Sequence, residues 1–276
     1  MVAAPPIERI GEQARRALER SGGIAEPLAA MADSPYMSAG GEIVWIGARL
    51  PAMHPRAVVL AGRAARDVAL RFERIPSVGW SPPPPKAGRA RRLAKALQRL
   101  RPKLFAQQAP RGLGALLAGG EPEFPLAAAA PRVRALARAY ASGEAGVVLE
   151  ASVALLGLGA GLTPSGDDLV GAALFARRLT KQHDAAWLAL AGRLCSEVAV
   201  RSHPVSAALF ADLARGESFA PLHELVATLA EGDDAGALDA ALRLVALGHS
   251  SGWDMLAGFY LGTDPAGLAS GDGRAR

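Results

Sequence analysis

The chain has 276 residues, of which half are hydrophobic and 21% are charged. This balance excludes a largely disordered chain, because disordered proteins are poor in apolar residues and rich in net charge. The length suits one large domain or two smaller ones. The 31 Lys and Arg against 26 Asp and Glu give a net charge of +5, and aromatic residues make up only 5%, so the core must consist mainly of Ala, Leu and Val.

The single cysteine, Cys195, excludes an intramolecular disulfide and a thiolate metal cluster. The first residues contain no apolar stretch of signal-peptide length. No window of the sequence approaches the apolar run that a membrane span needs. We therefore expect a soluble, cytoplasmic protein with no membrane partner.

The N-terminal part mixes helical and strand-like patterns. Apolar residues at helical spacing predict a helix within residues 7–33. The prolines of residues 81–85 exclude helix and central strand, and they predict an extended connector that ends an N-terminal domain of residues 1–85. Strands are predicted from short β-branched runs bounded by Gly and Pro, at residues 42–47, 57–61 and 68–72.

Residues 86–103 hold eight basic residues and no acidic ones, which leaves −3 for the rest of the chain. Leu93, Leu97 and Leu100 recur at helical spacing and predict an amphipathic helix. Two interpretations are open: the helix rests its leucines on the protein and exposes its charges to solvent, or it binds an acidic partner or nucleic acid. Nucleic acid is disfavoured, because no aromatic residue that stacks on bases lies among the charges.

From residue 124 to 276 the pattern is helical and alanine-rich. A basic helix and connector, residues 86–123, joins this part to the N-terminal one. The sequence therefore predicts an α+β fold, with a small β-containing N-terminal part and a larger, mainly helical C-terminal part. Helices are predicted near residues 126–142, 145–156, 166–180, 184–201, 204–214, 220–230, 235–247 and 252–261.

A first glycine-rich loop lies at residues 157–168, between two predicted helices. Its glycines let the backbone approach a ligand closely, and Thr163 followed by Pro164 is a good N-cap and first-turn pair. Unpaired N–H groups at such a helix start bind anions. The predicted substrate-binding residues of this loop are Gly159, Gly161, Thr163, Ser165, Gly166 and Asp167.

Asp167 and Asp168 complicate an anion site, because their charges repel a phosphate or carboxylate. Three explanations are open. The two residues hold a divalent cation, with Mg²⁺ the one cofactor that the sequence suggests; they accept hydrogen bonds from a substrate amide or amine; or they complement the helix dipole. The glycine spacing fits neither a dinucleotide-binding fingerprint nor a P-loop.

A second loop, residues 247–258, repeats the chemistry of the first. Residues 165–168 read Ser-Gly-Asp-Asp and residues 251–254 read Ser-Gly-Trp-Asp, and each precedes an apolar helix. We infer that two similar helix starts face a common site, with Asp168 and Asp254 as candidate catalytic residues and Ser250 and Ser251 as substrate-binding residues.

His249 is the third candidate catalytic residue, because imidazole suits general acid–base chemistry. A ring that only donates to a nearby carbonyl is an equal alternative. A Ser-His-Asp triad is disfavoured, since neither Ser250 nor Ser251 has the Gly-x-Ser-x-Gly surroundings of a nucleophile elbow. Arg201 is a candidate for bidentate capture of a carboxylate or phosphate, with compensation of its helix dipole as the alternative. Ser206, at the start of the next helix, completes the predicted substrate site.

Residues 156–168 and 248–258 resemble the two signature stretches of the AllH family. The intervening helix with Ser206 and the strand-like residues 41–47 also fit, so the resemblance extends over roughly residues 36–262. The family's named member is associated with the oxamate carbamoyltransferase of allantoin (purine) catabolism, in which several different subunits act together. The resemblance therefore implies a reaction that converts oxalurate and phosphate to oxamate and carbamoyl phosphate, but it supplies no catalytic residues.

The resulting hypothesis is a transferase: a subunit of a carbamoyl-transfer enzyme that binds small anionic substrates and acts with partner subunits or further copies of itself. One alternative is a Mg²⁺-dependent hydrolase of a small anionic substrate with Asp167, Asp168 and Asp254 as ligands. Another is a non-catalytic assembly or regulatory subunit whose basic helix docks an acidic partner.

Overall fold

The computed structural model describes residues 1–29, 35–65, 67–83, 90–180 and 183–269. The chain divides into two compact units, the first formed by Met1–Pro83 with Ser218–Ala220 and the second by Pro84–Glu217 with Pro221–Arg276. Among the described residues, the strands belong to the first unit and nearly all helical residues to the second. The predicted α+β fold is confirmed.

The first unit is a curled sheet of seven short strands. These are β1 (Val2–Ala3), β2 (Ile7–Ile10), β3 (Ile24–Ala29), β4 (Tyr36–Ala39), β5 (Glu42–Gly47), β6 (Ala57–Leu60) and β7 (Leu70–Arg71), in the order β1-β7-β3-β4-β5-β6-β2. The strands predicted at residues 42–47 and 57–61 are confirmed, and that at 68–72 is reduced to β7. Although β1 and β2 follow each other in the chain, they pair with opposite ends of the sheet, β1 with β7 and β2 with β6.

A helix lies within residues 7–33, as predicted, but it covers only nine residues, α1 (Glu12–Arg20). Strands β2 and β3 flank it, and residues 30–33 lie outside the described part. Gly22 and Gly23 adopt positive φ of 63° and 80°, a conformation that ends a helix. The residues of β2 form a strand because their pairing with β6 is more favourable than the helix that their spacing predicts. The buried face of α1 packs into the core of the sheet.

Residues 218–220 belong to the first unit through direct contacts with it. The backbone N–H of Ala220 donates to the carbonyl of Met53 at 2.8 Å. The ring of Phe219 packs edge-on against Trp45, with 5.8 Å between ring centroids. These contacts attach residues 218–220 to the β-containing unit.

The second unit consists mainly of helices, and each of the eight helices predicted beyond residue 124 is present, with ends shifted by a few residues. In the described ranges, none of the helices is both long enough and apolar enough to cross a membrane. The helices are α2 (Ala90–Phe105), α3 (Ala130–Ser142), α4 (Ala145–Val153), α5 (Ser165–Thr180), α6 (Ala185–Arg201), α7 (Pro204–Arg215), α8 (Ala220–Glu231), α9 (Asp234–Val245), α10 (Ser251–Thr263) and α11 (Ala266–Ala269).

The basic segment forms α2, and its residues 86–89 lie outside the described part. The leucine stripe, Leu93, Leu97 and Leu100, is buried. The hydroxyl of Tyr260 on α10 donates to the carbonyl of Leu97. On the charged side, Lys103 pairs with Asp234 on α9 at 2.9 Å. The leucines therefore rest on the helical unit, and of the charged side chains that the structure describes Arg92, Lys95, Arg99 and Lys103 are exposed. Binding of an acidic partner by this helix stays a prediction.

Helices α5 and α10 touch backbone to backbone. A Cβ atom placed on Gly258 of α10 would lie 2.0 Å from the carbonyl oxygen of Leu169 on α5, and one on Gly262 would lie 2.5 Å from that of Ala173. Only glycine permits this approach. Because α10 is buried from Gly252 to Gly262, the contact fixes the two helices, and hence their N-terminal ends, at one position relative to each other.

We predict that Gly258→Ala lowers the free energy of unfolding by about 3 kcal/mol or more, because the added methyl group forces α5 and α10 apart and overpacks the core. Urea denaturation followed by circular dichroism measures this change.

The matched control is Gly192→Ala in α6, where an added Cβ meets nothing within 4 Å. This variant should gain up to about 1 kcal/mol from helix propensity. Equal stability of the two variants would contradict the close contact of α5 with α10.

Candidate functional site

The two glycine-rich loops meet at the starts of α5 and α10. Helix α5 begins at Ser165 and α10 at Ser251. The hydroxyl oxygens of Thr163 and Ser251 lie 3.0 Å apart and share a hydrogen bond, although the residues are 88 positions apart in the chain. The structure therefore brings together Thr163, Ser165, Asp168, Ser250, Ser251 and Asp254 as one cluster of hydroxyl and carboxyl groups.

The serine at each helix start lies beside the aspartate of the other helix. The Ser251 side chain acts to lower the pKa of Asp168 on α5, and the Ser165 side chain acts to lower that of Asp254 on α10. Serine and aspartate occupy the first and fourth positions of their helices in both cases. The repeated Ser-Gly-x-Asp sequence is thus a repeated structure, in which each serine faces the aspartate of the other copy.

The glycine of each repeat allows the preceding segment to pack against the helix start. A Cβ atom on Gly166 would lie 1.9 Å from the carbonyl oxygen of Leu155, and one on Gly252 would lie 1.9 Å from that of Leu244. The N–H of Gly166 donates to the carbonyl of Leu158 at 2.9 Å. This N–H, which the sequence suggested for anion binding, is therefore already paired within the loop.

Asp168 and Asp254 are buried carboxyl groups with incomplete hydrogen bonding. Their residues are 6% and 0% exposed. The backbone N–H of Leu113 donates to Oδ1 of Asp254 at 2.6 Å. The other oxygen of Asp254 and one oxygen of Asp168, Oδ2 in both cases, are buried with no hydrogen-bond partner among the described residues. Native proteins rarely leave buried acceptors unpaired, so these two oxygens are candidates to accept hydrogen bonds from a group bound at the cluster.

Burial raises the pKa of Asp254 to about 6. Smaller effects lower this pKa, and they come from the Ser165 side chain, the Leu113 N–H, the Ser250 side chain and the charge of His249. Burial and then the nearby charge of Asp254 raise the pKa of Asp168 well above its ordinary value. Carboxyl groups with raised pKa values are typical of functional sites.

Sequence reasoning missed a third segment of the cluster, the 3₁₀ segment Gly112–Ala118. Gly112 has a φ of +54°, and a Cβ atom there would lie 2.5 Å from Oδ1 of Asp254. Gly114 packs in the same way against the side chain of Trp253, at 2.9 Å. The Gly-Leu-Gly sequence of residues 112–114 was the available signal, but nothing in the sequence connects it with a loop 140 residues away.

Asp167 belongs to a separate cluster. Its carboxylate accepts hydrogen bonds from the N–H of Gly157 at 2.8 Å, from the hydroxyl of Ser206 at 2.7 Å and from the hydroxyl of Ser202. These bonds hold the first loop to the start of α7. Asp167 and Ser206, both predicted to bind substrate, therefore bind each other.

The remaining predicted residues lie around the cluster. Gly159 lies against the start of α5, since a Cβ atom there would be 2.7 Å from the Ser165 nitrogen. Gly161 and His249 are exposed. The Arg201 side chain forms an ion pair with Glu197 of its own helix at 2.9 Å and is 48% exposed, while its backbone carbonyl oxygen lies 3.0 Å from the position of a Cβ atom on Gly157 in the first loop.

The described residues contain no group of three or more His, Cys, Asp or Glu side chains suited to hold a metal ion. The proposed ligand set of Asp167, Asp168 and Asp254 is therefore not assembled. The physical reason is that Asp167 is hydrogen-bonded to Ser202, Ser206 and the Gly157 N–H.

Residues 155–263 match the family described as oxamate carbamoyltransferase subunit AllH. The match spans both loops and helices α5 to α10, so it confirms the resemblance for the two helix starts of the cluster. The segment Gly112–Ala118 lies outside the match. It starts well beyond residue 36, where the resemblance seen in the sequence began. No curated protein and no solved structure matches the chain.

The carboxyl pKa values predict a specific pH dependence of stability. Asp254 has its ordinary pKa of 3.8 in the unfolded chain and a pKa of about 6 in the folded protein. The folded protein therefore holds the Asp254 proton more tightly than the unfolded chain does, which stabilises the fold by about 3 kcal/mol below pH 3.8. This stabilisation is lost as the pH rises through about 6. The wild-type protein should therefore lose unfolding free energy between about pH 4 and 7, and the Asp254→Asn protein should lose about 3 kcal/mol less. Urea denaturation at a series of pH values measures both losses.

Asp239→Asn on α9 serves as the control, because this aspartate is 68% exposed. It should leave the pH dependence of the wild-type protein unchanged. A wild-type slope in the Asp254→Asn protein would show that Asp254 titrates normally in the folded state.

Proposed function

We propose that this chain is a subunit of a carbamoyl-transfer enzyme of the oxamate carbamoyltransferase type, and that it binds a small anionic substrate where α5 and α10 begin. The observation that supports the proposal is the hydroxyl and carboxyl cluster that joins these two helix starts within residues 155–263, the part matched by the AllH family. The family description links the chain to such an enzyme as one subunit among others.

The reaction that the family description suggests suits hydroxyl groups at helix starts. Oxygen of phosphate attacks the carbamoyl carbon of oxalurate, the bond from that carbon to the oxamate nitrogen breaks, and this nitrogen gains a proton. Negative charge develops on the carbamoyl oxygen, where oriented O–H and N–H donors stabilise it. Thr163, Ser250 and Ser251 have hydroxyl groups at this position that can rotate to serve as such donors, and the positive ends of the two helix dipoles add to them.

The buried carboxyl groups restrict where a substrate anion lies. Two negative charges 4 Å apart repel by about 4 kcal/mol at an effective dielectric constant of about 20. We therefore place the anionic end of a substrate away from Asp168 and Asp254, at an exposed rim that includes His249, whose charge acts on Asp254. An imidazole at such a rim is suited to proton exchange with solvent.

Calorimetric titration with oxalurate, oxamate and carbamoyl phosphate tests the proposal, with the chain alone and with its partner subunits. We expect at least one of the three to bind. We expect Ser251→Ala to raise its dissociation constant about tenfold, because a hydrogen bond from this hydroxyl to the substrate is lost.

The control is Ser196→Ala, an exposed position on α6 whose hydroxyl bonds only to its own helix. It should bind like the wild-type protein. Absence of heat with all three compounds, alone and in the complex, would contradict the proposed function, as would unaltered binding by Ser251→Ala.

A further inference from the structure

We infer that Asp168 and Asp254 recognise a primary amide, and that they hold the –NH₂ end of the substrate inward while its anionic end faces the rim. This inference rests on the proposed function and adds the chemical group that the buried end of the site selects. Its starting point is the pair of buried Oδ2 atoms that lack hydrogen-bond partners among the described residues.

Both oxygens require hydrogen-bond donors. Each is an acceptor, and a carboxyl group keeps an acceptor lone pair in either protonation state. They belong to equivalent positions on two helices whose starts are joined by the hydrogen bond between Thr163 and Ser251. The complementary ligand group therefore carries two donors at one end, so that each helix receives one hydrogen bond.

Chemical groups of this size differ in the number of such donors that they offer. An –NH₂ group bears two N–H donors in one plane, a hydroxyl bears one, and a methyl group of similar size bears none. A substrate carboxylate or phosphate has only acceptors and is repelled by the aspartates. Carbamoyl compounds and oxamate carry both parts that the site separates, an –NH₂ end and an anionic end.

The orientation of the Asp254 carboxyl group is already fixed. Its Oδ1 accepts the Leu113 N–H at 2.6 Å, and Gly112 allows the backbone to approach that oxygen. The Oδ2 atom is consequently the one left for a ligand. In an Asp254→Asn variant the same Leu113 N–H selects the amide oxygen as its acceptor, which places an N–H donor where Oδ2 stood. That donor would face the donors of the substrate.

The test uses oxamate and pyruvate, which differ only by –NH₂ in place of –CH₃, with calorimetry of the chain alone and in complex with its partner subunits. We expect oxamate to bind at least about tenfold more tightly than pyruvate, since a site built to pair with N–H groups rejects an analogue that lacks them. We expect this ratio to fall to about one in Asp254→Asn and to persist in the control Asp239→Asn. Thermal unfolding at pH 7 checks that both variants are folded.

The outcomes separate this inference from the proposed function. Equal binding of oxamate and pyruvate by the wild-type protein would overturn amide recognition while leaving an anion site in place. A ratio that persists in folded Asp254→Asn would overturn the role of Asp254. Binding of neither compound, alone or in the complex, would remove both. A rise in melting temperature with Mg²⁺ alone that Asp254→Asn abolishes, without preference for oxamate, would assign the two carboxyl groups to a cation instead.

Discussion

The contact between α5 and α10 is the constraint on which the candidate site depends. Gly258 lies against the carbonyl of Leu169, and this approach sets where both helices begin. The hydrogen bond between Thr163 and Ser251 then follows, and the serine of each helix start comes to lie beside the aspartate of the other. Glycines thus act twice: inside the helices to bring the backbones together, and at the helix starts to admit the preceding segments.

The sequence was a good guide to this site where the relevant signal is local. Ser, Gly and Asp recur at the same spacing before two apolar helices, and this repeat was enough to predict that the two loops meet. The helices beyond residue 124 were also predictable, because each shows helical spacing of apolar residues and is bounded by turn residues or caps.

The parts that could not be predicted depend on contacts between distant segments. Nothing near Gly112 in the sequence shows that it lies against Asp254, and nothing near Asp167 shows that Ser202 and Ser206 bind it. Residues 7–10 have the spacing of a helix but pair with β6, because a strand pairing formed across the chain outweighs a weak local preference. Asp167 and Asp168 are adjacent in sequence, yet their hydrogen bonds serve different purposes, and only the structure distinguishes them.

The pairing of the first strands has a consequence for how the β-containing unit forms. Residues 2–3 pair beside Leu70–Arg71, and residues 7–10 pair with β6, so one short segment joins the two ends of the sheet. Loss of that segment would turn β7 and β6 into the edge strands in place of β1 and β2, and unpaired N–H and C=O groups at such edges promote aggregation. The pairing of Val2 with Leu70 spans most of the unit, and a contact of such high sequence separation is the kind that slows folding. During synthesis β2 can pair once Ala57–Leu60 is available, whereas the end of the sheet at β1 stays open until β7 has emerged from the ribosome.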